Sequence, residues 1–261
     1  MCKIRLALFF LDARYELKRI MKPTVSVVIP CRNEKGNIEN AIQRCPLMGD
    51  ATELIFVEGN STDGTLEEIE RVVAYYPDKR IRVLKQDGKG KGDAVRKGFA
   101  HATGDILMIL DADLTVAPEE LPAFYDALVA KKGDCINGSR LVYGMESGAM
   151  GGLSWVANRF FGSLISLITG QKITDTLCGT KVLWKKDYER IAQNRTKLGL
   201  ADPFGDFDIL FGAAHQKLKI IDVPIHYKAR SYGKTNISRF KEVWFLLWMC
   251  VRAFWVLRVR R

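Results

Sequence analysis

Asp111 and Asp113 stand two residues apart at the end of an apolar run, in the stretch LMILDADLTV at 107–116. Carboxylates set against apolar residues cost free energy unless a cation or a donor satisfies them. In an extended segment, positions i and i+2 project to one side, so the pair would offer oxygen ligands to a shared partner. Mg2+ or Mn2+ suits an all-oxygen site. A divalent cation bridging carboxylate and phosphate oxygens would stabilise a departing diphosphate. Two solvated turn aspartates are the plain alternative.

The elements that must hold this pair follow from periodicity. Apolar runs rich in β-branched residues predict strands over 25–30, 53–57, 81–85 and 105–110, with a short fifth strand at 135–138. Helical spacing predicts helices over 37–45, 65–76 (with Asp63 or Thr65 as cap), 92–102 and 118–131, the last with Pro118 in its first turn. Strands that are apolar throughout and alternate with helices predict an α/β fold, with a mostly parallel sheet covered on both faces. Ligands of such sheets bind beyond the carboxyl ends of the strands. The polar clusters collect there: PCRNE at 30–34, EGNSTDGT at 58–65, QDGKGKGD at 86–93 and DAD at 111–113. Four clusters at one sheet edge describe a nucleotide site. GKGKG lacks the spacing of a P-loop. Its glycines permit close backbone approach, and Lys89, Lys91 and Arg96 either face phosphate or belong to a solvated loop. The second half reads as an apolar helix over 153–170, a loop entering a helix over 202–218, an extended segment over 219–230 and a helix over 239–261.

These motifs, with DTLCGTK at 175–181 and RSYGKTN at 230–236, resemble family-2 glycosyltransferases of the GT-A (Rossmann-like) fold over about residues 23–240. The branch they resemble most is that of the dolichyl- or polyprenyl-phosphate mannose synthases. The resemblance implies an inverting, metal-dependent transfer of a hexose from a UDP- or GDP-linked donor to a polyprenyl phosphate. It implies that Asp113 binds the metal directly, and that Asp111, with Ala112 between them, acts at the ribose or through water. Pro30, Asn33 and Glu34 would line the nucleoside pocket. Glu58, Asp63 and Asp87 would lie towards the base, and Lys91 and Arg96 towards phosphate. The family commonly has Asp-Asp where this chain has Glu58-Gly59. Asp175 matches an acceptor-side motif. Asp208 matches an acidic position near the acceptor and the transferred sugar, while Asp206 caps a helix or joins the site.

A phosphate acceptor is largely dianionic at neutral pH, with a second pKa of about 6, and needs no base to remove a proton. It needs a cationic clamp, and Arg230, Lys234 and Thr235 fall within six residues of one another. A hydroxyl acceptor would need a base, Asp208 or Asp206. A nucleotidyltransferase also uses an α/β sheet and paired aspartates, and remains a third reading.

Net charge is +10 and is concentrated at the ends. Residues 228–261 carry nine Lys/Arg against Glu242, and residues 1–22 carry six against Asp12 and Glu16. The body between is near neutral. Basic ends beside Trp155, Phe160, Phe161, Leu164, Trp244, Trp248 and Trp255 fit helices lying in a membrane interface, on the cytoplasmic face. No nucleic-acid motif accompanies the charge. No run reaches the ~20 apolar residues of a simple span. The six cysteines lack metal-ligand or redox spacing and read as reduced thiols. The expected organisation is a basic extension at 1–22, a catalytic domain at 23–238 divided near residue 140 into nucleotide-sugar and acceptor halves, and an interfacial helix at 239–261.

Overall fold

In the computed structural model, residues 21–143, 152–198, 202–230, 232–233 and 239–259 are described. Strands β1 (Val25–Cys31), β2 (Thr52–Glu58), β3 (Arg80–Lys85), β4 (Ile106–Ile109), β5 (Cys135–Ser139), β6 (Lys181–Trp184) and β7 (Ile220–Pro224) form one sheet. Its order is β3-β2-β1-β4-β6-β5-β7. Every pairing is parallel except the two made by β6, which runs antiparallel to both β4 and β5.

Helices α1 (Ile38–Arg44), α2 (Thr65–Val73) and α4 (Leu121–Val129) cover one face. Helices α3 (Lys91–His101), α5 (Gly152–Thr169), α6 (Lys185–Leu198), α7 (Phe207–His215) and α8 (Arg239–Phe254) cover the other. Alternation along β1 sorts the two cores, with Val27 and Ile29 facing α1 and Val28 facing α3. Each large side chain fully removed from water contributes about 1.5–3 kcal/mol. The first strands therefore become rigid rails that end together at one edge.

The sequence expectation holds for β1 to β5 and for the helices between them. Two elements were not anticipated, β6 and α6. β6 has four residues and begins with a lysine, and α6 is largely polar, so neither carries a strong hydrophobic period. The antiparallel insertion of β6 is consequential, because it carries the DTLCGTK segment back beside β4.

A buried polar network fixes this second half. Asp175 is fully buried and accepts from Arg140 Nε at 2.6 Å, Arg140 Nη2 at 2.9 Å and Asn158 Nδ2 at 2.7 Å. Backbone amides of Arg140, Leu177 and Cys178 complete its set. Beside it, Asn137 donates to Asp222, which also accepts from Thr174. Burial works against the Asp175 charge, but Arg140 and the other donors outweigh it and hold the carboxyl below its ordinary range.

Asp175→Asn would strand the buried Arg140 guanidinium, an error that costs about 3–5 kcal/mol. Because the folded carboxyl titrates below its unfolded value of about 3.9, its contribution is complete above that pH and drains away only as pH falls through the lower folded value. The stability gap between wild type and variant in urea should therefore be the same at pH 5 and pH 7. A gap under ~1 kcal/mol at pH 7 would contradict the assignment.

Candidate active site

The carboxyl ends of β1, β2 and β4 carry the candidate residues. Asp111 and Asp113 follow β4, but not in extended backbone. Residues 111–114 form a turn closed by the Leu114 amide on the Asp111 carbonyl (3.1 Å), with Leu114 at φ 52°. The expectation of an extended segment is corrected accordingly to a turn, and each carboxylate takes its own cation. Asp111 Oδ1 meets Lys91 Nζ at 2.7 Å, and Asp113 Oδ2 accepts from Arg230 Nη2 at 2.6 Å. Thr115 holds the other Asp113 oxygen through its amide and hydroxyl. Ala112 is buried between them.

Arg230 spans the site. Its Nη1 donates to Glu34 Oε1 at 2.8 Å while Nη2 holds Asp113. The segment leading to it is fastened by a bridge between Val116 and Tyr227 and by the Lys228 amide on the Thr115 carbonyl (2.9 Å). Beyond it, the Tyr232 ring packs on Gly36, where a Cβ would stand 2.6 Å from the ring, and its hydroxyl donates to Asp63 at 3.3 Å. Residues 227–230, with 232–233, thus form a strap from the DAD turn to the β1 loop. Burial raises the Glu34 carboxyl, against the pull of Arg230 and Asn37. Lys234 and Thr235 lie outside the described residues.

The β1 and β2 loops lock onto each other. Asn33, at φ 57°, accepts from the Thr62 amide and donates its own amide to Ser61 Oγ. Pro30 is half-buried in β1 beneath them. Asp63 gathers Thr65 and the Lys35 amide, so its helix-capping role is realised, with Gly64 at the N-cap itself. Burial opposes the Asp63 charge, but these donors hold its carboxyl below the ordinary range. Glu58 is buried and accepts from the Ser61 amide at 2.5 Å, so one of its oxygens serves the loop. Gln86 takes the space left by the next residue: its Oε1 lies 2.9 Å from where a Cβ of Gly59 would stand. Periodicity gave no hint of Gln86.

Other expected residues sit elsewhere. Asp87 is 81% exposed and paired with Lys97 at 2.6 Å on the outer edge. Arg96 donates to the Asp202 carbonyl and ties the 202–206 loop to α3. Asp175 lies inside the ion-pair network beneath the edge, where its carboxylate fixes the position of Arg140. Asp206 and Asp208 divide their roles differently from the expectation. Asp208 is buried against Arg195 Nε at 2.7 Å, facing α6. Asp206 makes no capping bond. The cap is Asp202, which accepts from the amides of Phe204, Phe207 and Asp208. Asp206 faces the DAD turn through Lys91, 3.6 Å away. Burial raises both carboxyls, Asp206 against Lys91 and Lys181, and Asp208 against Arg195. Burial likewise opposes the Lys91 charge, but Asp111 and Asp206 outweigh it and hold the ammonium above its ordinary range.

A hard divalent cation fits this corner. Both aspartates offer oxygen donors, and Gly179 packs so closely on Asp111 Oδ2 that a Cβ there would overlap it. Among the described residues no three His, Cys, Asp or Glu side chains converge as a cage. The remaining ligands would come from diphosphate oxygens and water, a common arrangement for Mg2+.

Comparison with known proteins agrees with this architecture. A dolichol-phosphate mannosyltransferase of Pyrococcus furiosus is 30% identical over 82% of this chain and 59% of its own length. An undecaprenyl-phosphate 4-deoxy-4-formamido-L-arabinose transferase of Enterobacter sp. is 27% identical over 82% of the chain and 62% of its own length. The chain thus spans little more than half of these relatives. Among solved structures, glucosyl-3-phosphoglycerate synthase from Mycobacterium tuberculosis, in complex with Mn2+, UDP and glucosyl-3-phosphoglycerate, superposes with a TM-score of 0.63 at 20% identity, covering 90% of this chain and 80% of that one. A mannosyltransferase from Pyrobaculum calidifontis in complex with GDP-Man and Mn2+ gives 0.58 at 18% identity, covering 98% and 72%. These two likenesses establish the fold, which is that of the GT-A glycosyltransferases. The family model for glycosyl transferase family 2 matches residues 26–192, and the chain belongs to that family.

Proposed function

We propose that the chain transfers a hexose from a nucleoside-diphosphate sugar to a membrane polyprenyl phosphate, with inversion at the anomeric carbon. The observation that carries this reading is the Arg230 guanidinium, held by the strap against both Asp113 and Glu34. A planar cation at the metal corner is suited to a phosphate nucleophile, which needs charge compensation rather than deprotonation. The names of the relatives, dolichol-phosphate and undecaprenyl-phosphate transferases, support the acceptor class.

The residues divide the work. The β1 and β2 loops and the Gln86 region hold the nucleoside, and Lys91 stands where a diphosphate would meet Asp111. Asp111 and Asp113 would hold Mg2+ or Mn2+, which when bound neutralises charge on the leaving diphosphate. Arg230 turns from Asp113 to the acceptor phosphate and holds its oxygen in line with the sugar carbon. A second reading, a hydroxyl acceptor, is favoured by one observation: Asp206 Oδ1 is buried without a hydrogen-bond partner and could serve as base. Asp208, committed to Arg195, does not fit that role.

The same proposal sets the protein on the cytoplasmic face of a membrane. α5 and α8 expose Trp155, Phe160, Leu167, Trp244 and Trp248, and the π-helical turn that follows α8 exposes Trp255, with Arg159 and Arg252 stacked on Trp155 and Trp248. Phe161, expected on that surface, is instead buried in the core. Among the described residues no helix is long and apolar enough to cross a membrane.

With a panel of nucleotide sugars, Mn2+ and polyprenyl phosphate, Arg230→Ala should lose about 10²–10³ in transfer rate while retaining slow donor hydrolysis. Asp113→Asn and chelation should abolish both. Wild type that glycosylates a hydroxyl but no lipid phosphate would displace the first reading in favour of the second. On vesicles containing anionic lipid, the joint change of Trp244 and Trp248 to Ala should lower the bound fraction, and salt should weaken what remains. Equal sedimentation of both proteins would refute this docking face.

A further inference from the structure

Lys181 has no place in the mechanism above, yet it is the only fully buried lysine among the described residues. It opens β6, in the middle of the sheet. Burying an ammonium costs several kcal/mol unless it is well compensated, and an aliphatic residue would fill such a strand position without that cost. Its Nζ donates to the Cys178 carbonyl, and its nearest carboxylate oxygen is Asp206 Oδ1 at 3.9 Å. That oxygen is itself buried and has no hydrogen-bond partner. The other Asp206 oxygen faces Lys91 at 3.6 Å, and Lys91 reaches Asp111 at 2.7 Å.

Charge therefore alternates from the core to the sheet edge: Lys181, Asp206, Lys91, Asp111. The two cations differ in freedom. The Lys91 side chain is 26% exposed at the start of α3, beside the glycine-rich loop, whereas that of Lys181 is 0% exposed. The outer cation can leave the row and the inner one cannot. If Lys91 turned to a diphosphate and Lys181 were absent, Asp206 would be left as an uncompensated buried anion. With Lys181 present, the inner pair stays neutral and Asp111 is freed for the metal. The bond to Cys178 adds a second effect. It fixes the turn whose Gly179 packs on both Asp111 and Lys91.

We infer that Lys181 is a positioning residue. It is the permanent counter-ion of Asp206, and it allows Lys91 to pass from the two aspartates to the diphosphate of the donor. This inference rests on the donor site proposed above, and extends it to a residue that touches neither donor nor acceptor. Without Lys181, the attraction of Asp206 would retain Lys91 and the donor would bind poorly.

The test is calorimetric titration of UDP and of GDP, each with Mn2+, into four forms of the chain: wild type, Lys181→Met, Lys181→Arg and the double variant Lys181→Met/Asp206→Asn. Circular dichroism and thermal melts report folding. Lys181→Met should weaken nucleotide binding about tenfold, and Lys181→Arg by less, because it keeps the charge. Adding Asp206→Asn should recover most of the loss, since nothing then retains Lys91. A merely structural lysine would lower the melting temperature and leave the nucleotide affinity of the folded protein unchanged. Should Lys181→Met fail to fold, the neutral double variant carries the comparison, and must bind within about threefold of wild type. Folded Lys181→Met with wild-type affinity, or a folded double variant as weak as the single one, overturns the inference alone. Wild type that binds neither nucleotide overturns the donor site and this inference with it.

Discussion

The ion pair between Asp113 and Arg230, closed at 2.6 Å across 117 residues of chain, is the constraint on which the arrangement of the site depends. A parallel strand covered on both faces must be apolar, and its carboxyl end is where the backbone opens. Carboxylates at that end are useful to a ligand but costly without one. The protein meets that cost locally with Lys91 for Asp111, and remotely with Arg230 for Asp113. The remote solution folds the strap over the β1 loop. It also holds a guanidinium against both Asp113 and Glu34 at the sheet edge.

Much of the first half was legible because burial on two faces forces a distinctive composition. VSVVIP, ELIFV and DILMIL admit few other readings between polar loops, and the ends of β1, β2 and β4 converge as expected. What was not legible is instructive. DTLCGTK stands out as a motif, and its last residue, Lys181, also begins a strand. Four residues carry too little period to reveal β6, and no local signal states that a strand will enter antiparallel between β4 and β5. Asp206 and Asp208 were both legible as site candidates, but their division of labour was not. Residues two apart on a helix point to nearly opposite sides, so only one can face the sheet edge. Helix phase decides which, and Asp202 caps α7 through the amides of Phe207 and Asp208 while also holding that of Phe204 in the loop before it. The sequence shows a loop entering a helix over 202–218, but not that Asp202, rather than Asp206, is the side chain that caps it.

Charge placement had a similar limit. The concentration of cations at the chain ends pointed to a surface, and α8 carries the exposed tryptophans that such a surface would bury. Sequence could not say which aromatic residues of α5 face outward. Phe160 and Phe161 are adjacent, yet one is 57% exposed and the other 3%. The helical rotation of about 100° between neighbours separates an exposed residue from a core residue at a single step.

The buried Asp175 connects these parts. It holds Asn158 of α5, the helix that bears Trp155 and Phe160, and it holds Arg140, whose guanidinium lies 5.0 Å from the Tyr227 ring at the foot of the strap. A saturated carboxylate of this kind has no freedom to do chemistry, but it has the rigidity to fix two surfaces relative to each other. The exposed face of α5 and the base of the Arg230 strap are thus referenced to one buried ion pair. For the reaction proposed above, which joins a water-soluble donor to a lipid-borne phosphate, the depth of the proposed docking face and the reach of Arg230 would have to match. Holding both against the same carboxylate is a direct way for a single sheet to keep that match.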